Sequence, residues 1–433
     1  MIATSVIVIV TFVLLTSSIL FLPSLKVGKG RVATYWIVAL LGAVLLLALR
    51  LAPLREVGEA LVADASINPL KILILFFSMT FLSVVLDEVG FFRYLANKAL
   101  RLAGKKQFSL FTAFYFLTAI LTVFTSNDVV ILTLTPFICF FCKNAKADPL
   151  PYLVGEFAAA NTWSMMLVIG NPTNVYLATS AGIDFLGYLK VMALPTLACG
   201  AVEFALIALI FGKRLKAELS PEEEEVEISS RPDLIVGLIH LGVCLIFLVL
   251  SGYLHIEMWL VSAVCAGSLL LSLLVIRLVT RSGWRTLGSS FARLPWQLIP
   301  FVLSMFVVVV ALRYQGISAK IGAFFGEKQA VWTYGFSSFL AANLINNIPM
   351  SILFSTLPTA LSEAARAQAI FASVVGSNVG AFLTPIGALA GIMFTDLTAR
   401  YEVKYGFKEF ITYGTLISLP TLATALFVLN IIL

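Results

Sequence analysis

Long apolar runs alternate with short charged ones along this chain. Runs near 3–22, 32–52, 70–87, 187–212, 233–251, 257–276, 296–313 and 409–432 approach the roughly 20 apolar residues that carry a helix across hydrocarbon. Two more runs, 155–182 and 367–396, are long enough but are interrupted by glycine, proline and asparagine. Two further stretches, 108–142 and 330–358, each consist of paired apolar arms around a polar centre. In the first, uncharged arms (Phe108 to Phe124 and Val129 to Cys142) flank Thr125-Ser126-Asn127-Asp128. Arms of about 14–17 residues are short for a full crossing. The pattern predicts ten spans and two re-entrant hairpins in an all-α polytopic membrane protein. Backbone that unwinds at such a depth survives only inside protein or beside water.

The interruptions carry a second pattern. Asn127 at one hairpin tip precedes a span broken by Gly170-Asn171-Pro172-Thr173-Asn174. Asn346-Asn347-Ile348-Pro349 at the other precedes a span broken by Gly376-Ser377-Asn378-Val379-Gly380 and Thr384-Pro385-Ile386-Gly387. Asn127 and Asn347 stand 220 residues apart, and Pro172 and Pro385 stand 213 apart. The chain therefore reads as an N-terminal span (1–22), a first repeat (23–212), a cytoplasmic linker (213–232) and a second repeat (233–433). Repeats of opposite orientation with broken helices are the pattern of secondary transporters, whose site lies at the repeat interface near mid-membrane.

Charge supplies the sidedness. With the N-terminus outside and each hairpin returning to its own side, 21 of the 29 basic residues fall in inner loops. Arg50, Arg55, Lys71, Lys190, Arg313, Lys320, Lys328 and Arg366 remain outside. That asymmetry matches the positive-inside rule and weakens if the first hairpin crosses the membrane. The acidic run Glu222 to Glu225 after Pro221 reads as a solvated cytoplasmic loop. The N-terminal run lacks a basic leader and a small-residue cleavage pattern, so it reads as the first span rather than a signal peptide.

Composition narrows the class. The chain is 60% hydrophobic and 12% charged, with a mean hydropathy of +1.01, too apolar for a soluble domain. Apolar runs of this length exclude an outer-membrane barrel. The net charge of +6 is accounted for by topology and does not point to nucleic acid. The five cysteines all sit in apolar segments, and Cys139-Phe140-Phe141-Cys142 reads as packing rather than a redox pair. No G-x-S-x-G, phosphate-binding loop or H-E-x-x-H occurs, and the two histidines make no metal cluster. An enzyme is not expected, nor is any cofactor or metal. An ion channel, with large currents not coupled to a second ion, is the alternative outside the carriers.

The chemistry expected of the breaks follows from their residues. Proline removes a donor and clashes with the preceding turn, and the freed backbone groups and half-helix ends bind ions. Asn171, Thr173, Asn174, Ser377, Asn378 and Thr384 add amides and hydroxyls. A kink used for packing alone remains the alternative. Gly376 with Gly380, and Gly387 with Gly391, also fit the small-residue packing spacing. Asp128 stands out among the carboxylates. Desolvation favours the protonated form of a buried carboxyl, so Asp128 is the candidate proton carrier. Its alternatives are a cation ligand or a cap for the returning arm. Glu156 and Glu203 read as structural groups, and Arg313 as a snorkelling side chain.

At these residues the chain resembles the arsenite permease (ArsB-type) family of the ion transporter superfamily. The resemblance runs through Leu86-Asp87-Glu88-Val89-Gly90-Phe91-Phe92, Asn127-Asp128 with Leu134-Thr135-Pro136, and Gly170-Asn171-Pro172-Thr173-Asn174. It continues through Pro295-Trp296-Gln297, Asn346-Asn347-Ile348-Pro349 and Thr384-Pro385-Ile386-Gly387-Ala388-Leu389-Ala390. It implies a homodimer in the cytoplasmic membrane, with an elevator-like transport domain holding both hairpins and both broken spans. It maps substrate and coupling-ion contacts onto Ser126, Asn127, Asn346, Asn347 and the two breaks. The expected activity is proton-coupled efflux of arsenite or a related oxyanion, in some systems with a soluble ATPase subunit. A sodium- or proton-coupled carrier of carboxylates or inorganic anions, and a sodium/proton antiporter, are the alternatives within the superfamily. The chain departs at Asn378, where the arsenite pumps carry an acidic residue, which leaves Asp128 as the main titrating group of the site.

Overall fold

The computed structural model describes residues 1–22, 24–27, 30–62, 68–104, 106–216, 218, 227–281 and 283–433. Most of the acidic part of the expected linker, 219–226, lies outside the described residues. The first half runs α1 (Ile2–Phe21), the strands β1 (Ser24–Val27) and β2 (Gly30–Ala33), α2 (Tyr35–Ala48), α3 (Leu54–Val62) and α4 (Pro69–Glu88). It continues with α5 (Phe91–Ala103), α6 (Gln107–Phe124), α7 (Asn127–Asn144), α8 (Leu150–Trp163), α9 (Pro172–Ser180) and α10 (Phe185–Phe211). The second half runs α11 (Arg231–Leu254), α12 (Met258–Thr280), α13 (Arg285–Ala292), α14 (Leu298–Tyr314) and α15 (Ile317–Phe325). It ends with α16 (Ala330–Ile345), α17 (Asn347–Phe354), α18 (Glu363–Gly380), α19 (Leu389–Arg400) and α20 (Phe407–Ile432).

The order of elements passes through one pattern twice, α1 to α10 and then α11 to α20. The packing exchanges the halves in the same way. α7 packs on α19 and α17 on α9; α4 packs on α12 and α14 on α2; α10 and α20 pack on one another.

Seven helices among the described residues are long and apolar enough to cross a membrane, and the bent pair α14 and α15, at 78°, makes an eighth. The expected ten are fewer here for identifiable reasons. The two broken runs separate into α8 with α9 and α18 with α19, and no piece passes alone. The run 32–52 yields only the 14-residue α2: residues 32–33 belong to β2, paired antiparallel with β1 in the register Ser24 to Ala33, and residues 49–52 turn out of the helix. In the other direction α6, expected as a short hairpin arm, extends over 18 residues and qualifies as a span by itself, about 27 Å of helix. The outward faces are apolar: Ile9, Val13, Val264, Leu271 and Val275 are all exposed. A continuous apolar exterior of that kind belongs in lipid.

Both hairpins close on themselves. The Tyr152 hydroxyl, past the end of α7, donates to Gln107 Oε1 at the start of α6 (3.3 Å). Around the second hairpin, Ser362 donates to both Glu327 oxygens, through its amide (2.8 Å) and its hydroxyl (3.1 Å). The point of entry and the point of exit are therefore neighbours in each case. The long-range ion pairs obey the same logic. Lys71 meets Glu257 (2.8 Å), Arg214 meets Asp148 (2.9 Å), and Arg277 meets Asp233. Arg293 meets Asp87 and Glu88 (2.6 and 2.7 Å). In each pair the charge pattern assigns both partners to the same side.

Candidate functional site

The first break is built by sequence in a direct way. α8 ends at Trp163, a single helical turn spans Val168–Gly170, and α9 starts at Pro172. Proline at the first helical position loses nothing, because that amide has no partner in any helix. Asn171 caps α9 by accepting from the Thr173 amide (3.1 Å). Gly170 is required by space: a Cβ there would lie 2.2 Å from the Ser164 carbonyl oxygen. The second break leaves Pro385 in the loop between α18 and α19. Neither proline lies within continuous helix.

Gly376-Ser377-Asn378-Val379-Gly380, expected as part of the second break, is helical instead: α18 continues through Gly380, and the interruption is confined to 381–388, around Thr384-Pro385-Ile386-Gly387. The last turns of α18 meet the first break at Asn378. Its Oδ1 accepts from Ser164 Oγ (2.7 Å) and Asn171 Nδ2 (3.0 Å). Its Nδ2 donates to Asn174 Oδ1 (2.6 Å) and the Val374 carbonyl (2.8 Å). Asn174 uses its own amide on the carbonyls of Ser164 (2.8 Å) and Leu167 (3.3 Å), so its oxygen needs a donor. That requirement accounts for asparagine at 378, since a carboxylate accepts only. Alongside, Ser377 Oγ donates to Thr173 Oγ1 (2.9 Å), which donates to Asn171 Oδ1 (3.0 Å).

The first tip joins this cluster from below α7. Asn127 Nδ2 donates to Asn161 Oδ1 (3.2 Å), three residues before Ser164. Asn127 Oδ1 and Ser126 Oγ are buried with no hydrogen-bond partner among the described residues. Asp128 sits in the first turn of α7, where Ser126 is the N-cap and no side chain caps the helix. It does not cap the arm, and among the described residues no lysine or arginine pairs with it. Ser126 and Asp128 instead line a cavity of about 400 Å³ together with Thr80, Arg293, Trp296 and Gln297. The positive end of α7 faces that space.

The second tip turns on Asn346, at φ 72 and ψ 151. That region is almost closed to residues with a Cβ and costs of order 1–3 kcal/mol. The strain is held by Asn346 Nδ2 on the Ile386 carbonyl (2.9 Å) and by the Ile348 amide on Asn346 Oδ1 (3.3 Å). The Asn347 amide donates to the Gly387 carbonyl (3.0 Å). Asn343, one turn earlier, donates to Gly380 (3.0 Å) and accepts from Thr384 Oγ1 (2.7 Å). Gly376 lets α18 lie against α16: a Cβ there would meet Ser338 Oγ at 2.0 Å and the Gly335 carbonyl at 2.5 Å. Gly387 and Gly391 are similarly pressed against backbone carbonyls.

Asn161, Ser164 and Asn343 belong to these contacts and escaped the sequence reading. Asn161 and Ser164 belong to the polar stretch Asn161-Thr162-Trp163-Ser164 that closes α8, and Asn343 is a lone polar residue of α16 one turn before the second tip; polar residues so close to a break or a tip are the signal that could have found them. Near the cavity mouth, Arg293 bridges Asp87 and Glu88, while Ser289 Oγ donates to Glu88 Oε2 (2.6 Å). Burial works against the Arg293 charge, but the two carboxylates outweigh it and hold the guanidinium above the ordinary arginine range.

Comparison with known proteins agrees with this architecture. The solved Alcanivorax borkumensis YdaH transporter, described as having an unusual topology, superposes with a TM-score of 0.55 over 99% of this chain and 98% of that one, at 15% identity. The arsenical pump membrane protein of Escherichia coli is 25% identical, over 81% of this chain and 84% of that protein. The putative arsenical pump membrane protein of Bacillus subtilis is 25% identical over 88% and 89% respectively. The family model for citrate transporters matches residues 27–376. The motifs, the helical architecture and that match agree: this chain is a membrane transporter and belongs to the citrate transporter family.

Proposed function

We propose that this protein is a secondary active transporter that exports arsenite, or a related metalloid oxyanion, across the cytoplasmic membrane in exchange for protons. The observation that carries this reading is Asp128: a carboxylate with no lysine or arginine paired to it among the described residues, at a hairpin tip, on the wall of a cavity of about 400 Å³. Such a group suits a proton that comes and goes. A neutral or weakly acidic As(OH)3 suits amides and hydroxyls: Ser126 lines the cavity with Asp128, and the further proposed contacts are Asn127 at the first tip, Asn171, Thr173, Asn174, Ser377 and Asn378 where α9 meets α18, and Asn346, Asn347 and Thr384 at the second tip and break. Gly170, Pro172, Gly376, Pro385 and Gly387 shape the backbone that presents them.

In this reading the two halves are inverted repeats, and the two hairpins and broken spans move together as an elevator against α4, α14 and the remaining helices. The working unit is a homodimer with its N-terminus outside, and a soluble ATPase subunit is a further partner to test for. Similarity to proteins named arsenical pump membrane proteins supports the substrate class. A second reading, a sodium- or proton-coupled carrier of carboxylates or inorganic anions, draws on the citrate transporter match and on Arg293 at the cavity wall. A substrate-panel flux assay on purified protein in vesicles, with and without sodium and at two pH values, separates them. Sodium-independent, pH-driven arsenite flux is expected; sodium-dependent citrate or anion flux overturns the leading reading in favour of the second.

A further inference from the structure

A second buried carboxyl lies away from the cavity. Glu203 is in the middle of α10 and fully buried. Its Oε2 accepts from Thr162 Oγ1 of α8, and its Oε1 lies 3.0 Å from the Tyr115 hydroxyl of α6. Among the described residues no lysine, arginine or histidine is bonded to it. Its titratable neighbours are that phenol and the Cys199 thiol of α10 itself. On α8 the other carboxyl, Glu156, is bonded to Thr135 of α7. α20 carries Lys408 and Glu409 in its first turn and sets Tyr413 against Phe211. α11 carries Arg231, Asp233, paired with Arg277, and His240, bonded to Val236 and Ser268.

The hydrogen bonds of Tyr115 make an inventory of protons. The phenol oxygen accepts from Trp163 Nε1 (3.2 Å). It has one proton to give and two acceptors in reach, the Gly200 carbonyl at 2.8 Å and Glu203 Oε1 at 3.0 Å. If that proton goes to Gly200, the nearer acceptor, the contact with Glu203 is a bond only when the carboxyl itself carries a proton and donates it to the phenol oxygen. A protonated Glu203 thus satisfies every group in the cluster. A bare carboxylate leaves an unpaired charge in a dry interior, where the cost is high.

We propose that Glu203 is a proton-binding site whose occupancy locks α10 to the end of α8. The link to the transport site is short. Thr162 and Trp163 are the last residues of α8, immediately before Ser164 and the first break. Trp163 also packs closely on α10, where a Cβ at Gly200 would meet its ring at 2.7 Å. When the proton leaves, the carboxylate calls for hydration, which in this proposal comes from parting α8 from α10. That movement reaches Ser164 and its bond to Asn378. The inference builds on the proton-coupled reading above and adds a second titrating group to Asp128.

The test is infrared difference spectroscopy of the purified full-length protein between acid and alkaline pH, with no substrate present. The wild-type protein should show a titrating protonated-carboxyl band that disappears in Glu203→Gln, with unfolding temperature nearly unchanged. Tyr115→Phe should keep the band and move its midpoint. Identical spectra for wild type and Glu203→Gln, or an unmoved midpoint in Tyr115→Phe, overturn the proposal. The outcome is independent of transport: pH-driven flux with an unchanged band defeats this site alone, and a lost band without pH-driven flux defeats the transport reading alone.

Discussion

Ser164 and Asn378, 214 residues apart, share a 2.7 Å hydrogen bond. One precedes the break in the first half and the other the break in the second. Their contact joins two interrupted helices that neither half completes alone. The amides of Asn171, Asn174 and Asn378 are paired so that each oxygen meets a donor. Asn378→Asp replaces the donor facing Asn174 by an acceptor. A loss of about 1–3 kcal/mol is expected for an unmatched buried polar group, read as a lower unfolding temperature in detergent, whereas Asn378→Ser should be milder.

Asn346 provides a test of backbone strain. Glycine at that position accepts the positive φ but loses the two side-chain bonds, while alanine loses the bonds and keeps the strain. Asn346→Ala should therefore be less stable than Asn346→Gly, by about 1 kcal/mol. Thermal unfolding of both variants against wild type measures the order, and the reverse order would mean that the second tip is not held as described.

Space at the first break makes a third test. Gly170→Ala places a methyl group 2.2 Å from the Ser164 carbonyl, a distance that forces the break to open. Transport should fall by at least tenfold while membrane insertion is retained. Gly267→Ala, where nothing lies within 4 Å, is the matched control and should leave transport intact.

The cavity mouth depends on Arg293. Asp87 is 2% exposed and pairs with this guanidinium. Removing one partner of a buried pair leaves a stranded charge, at a cost of order 3 kcal/mol. Arg293→Ala should lower the unfolding temperature sharply. Arg293→Lys should retain part of the stability, since one ammonium reaches one carboxylate and not both.

Much of this was legible in the sequence because it is written in breakers. Pro172, Gly170 and the Asn346-Asn347 pair interrupt apolar runs, and the structure interrupts its helices at the same places. The hairpins, too, follow from short arms around polar tips. The partners of those residues were not legible. Asn161, Thr162 and Ser164 crowd the end of α8 and Asn343 stands alone in α16, and only the fold reveals what each of them touches. The first arm, expected from Phe108 to Phe124, forms α6 one residue longer, because Gln107 joins the helix with its Oε1 accepting from the Tyr152 hydroxyl. Residues 30–33 form a strand instead of the start of a span because residues 24–27 lie alongside to pair with them.

The central claim is that Asp128 carries the proton that drives transport. The direct measurement is arsenite flux in vesicles under an imposed pH gradient, with wild type and Asp128→Asn side by side. The expected result is gradient-driven flux in wild type and none in Asp128→Asn, with arsenite still bound by the purified variant. Flux of equal size and equal pH dependence in both would contradict the account.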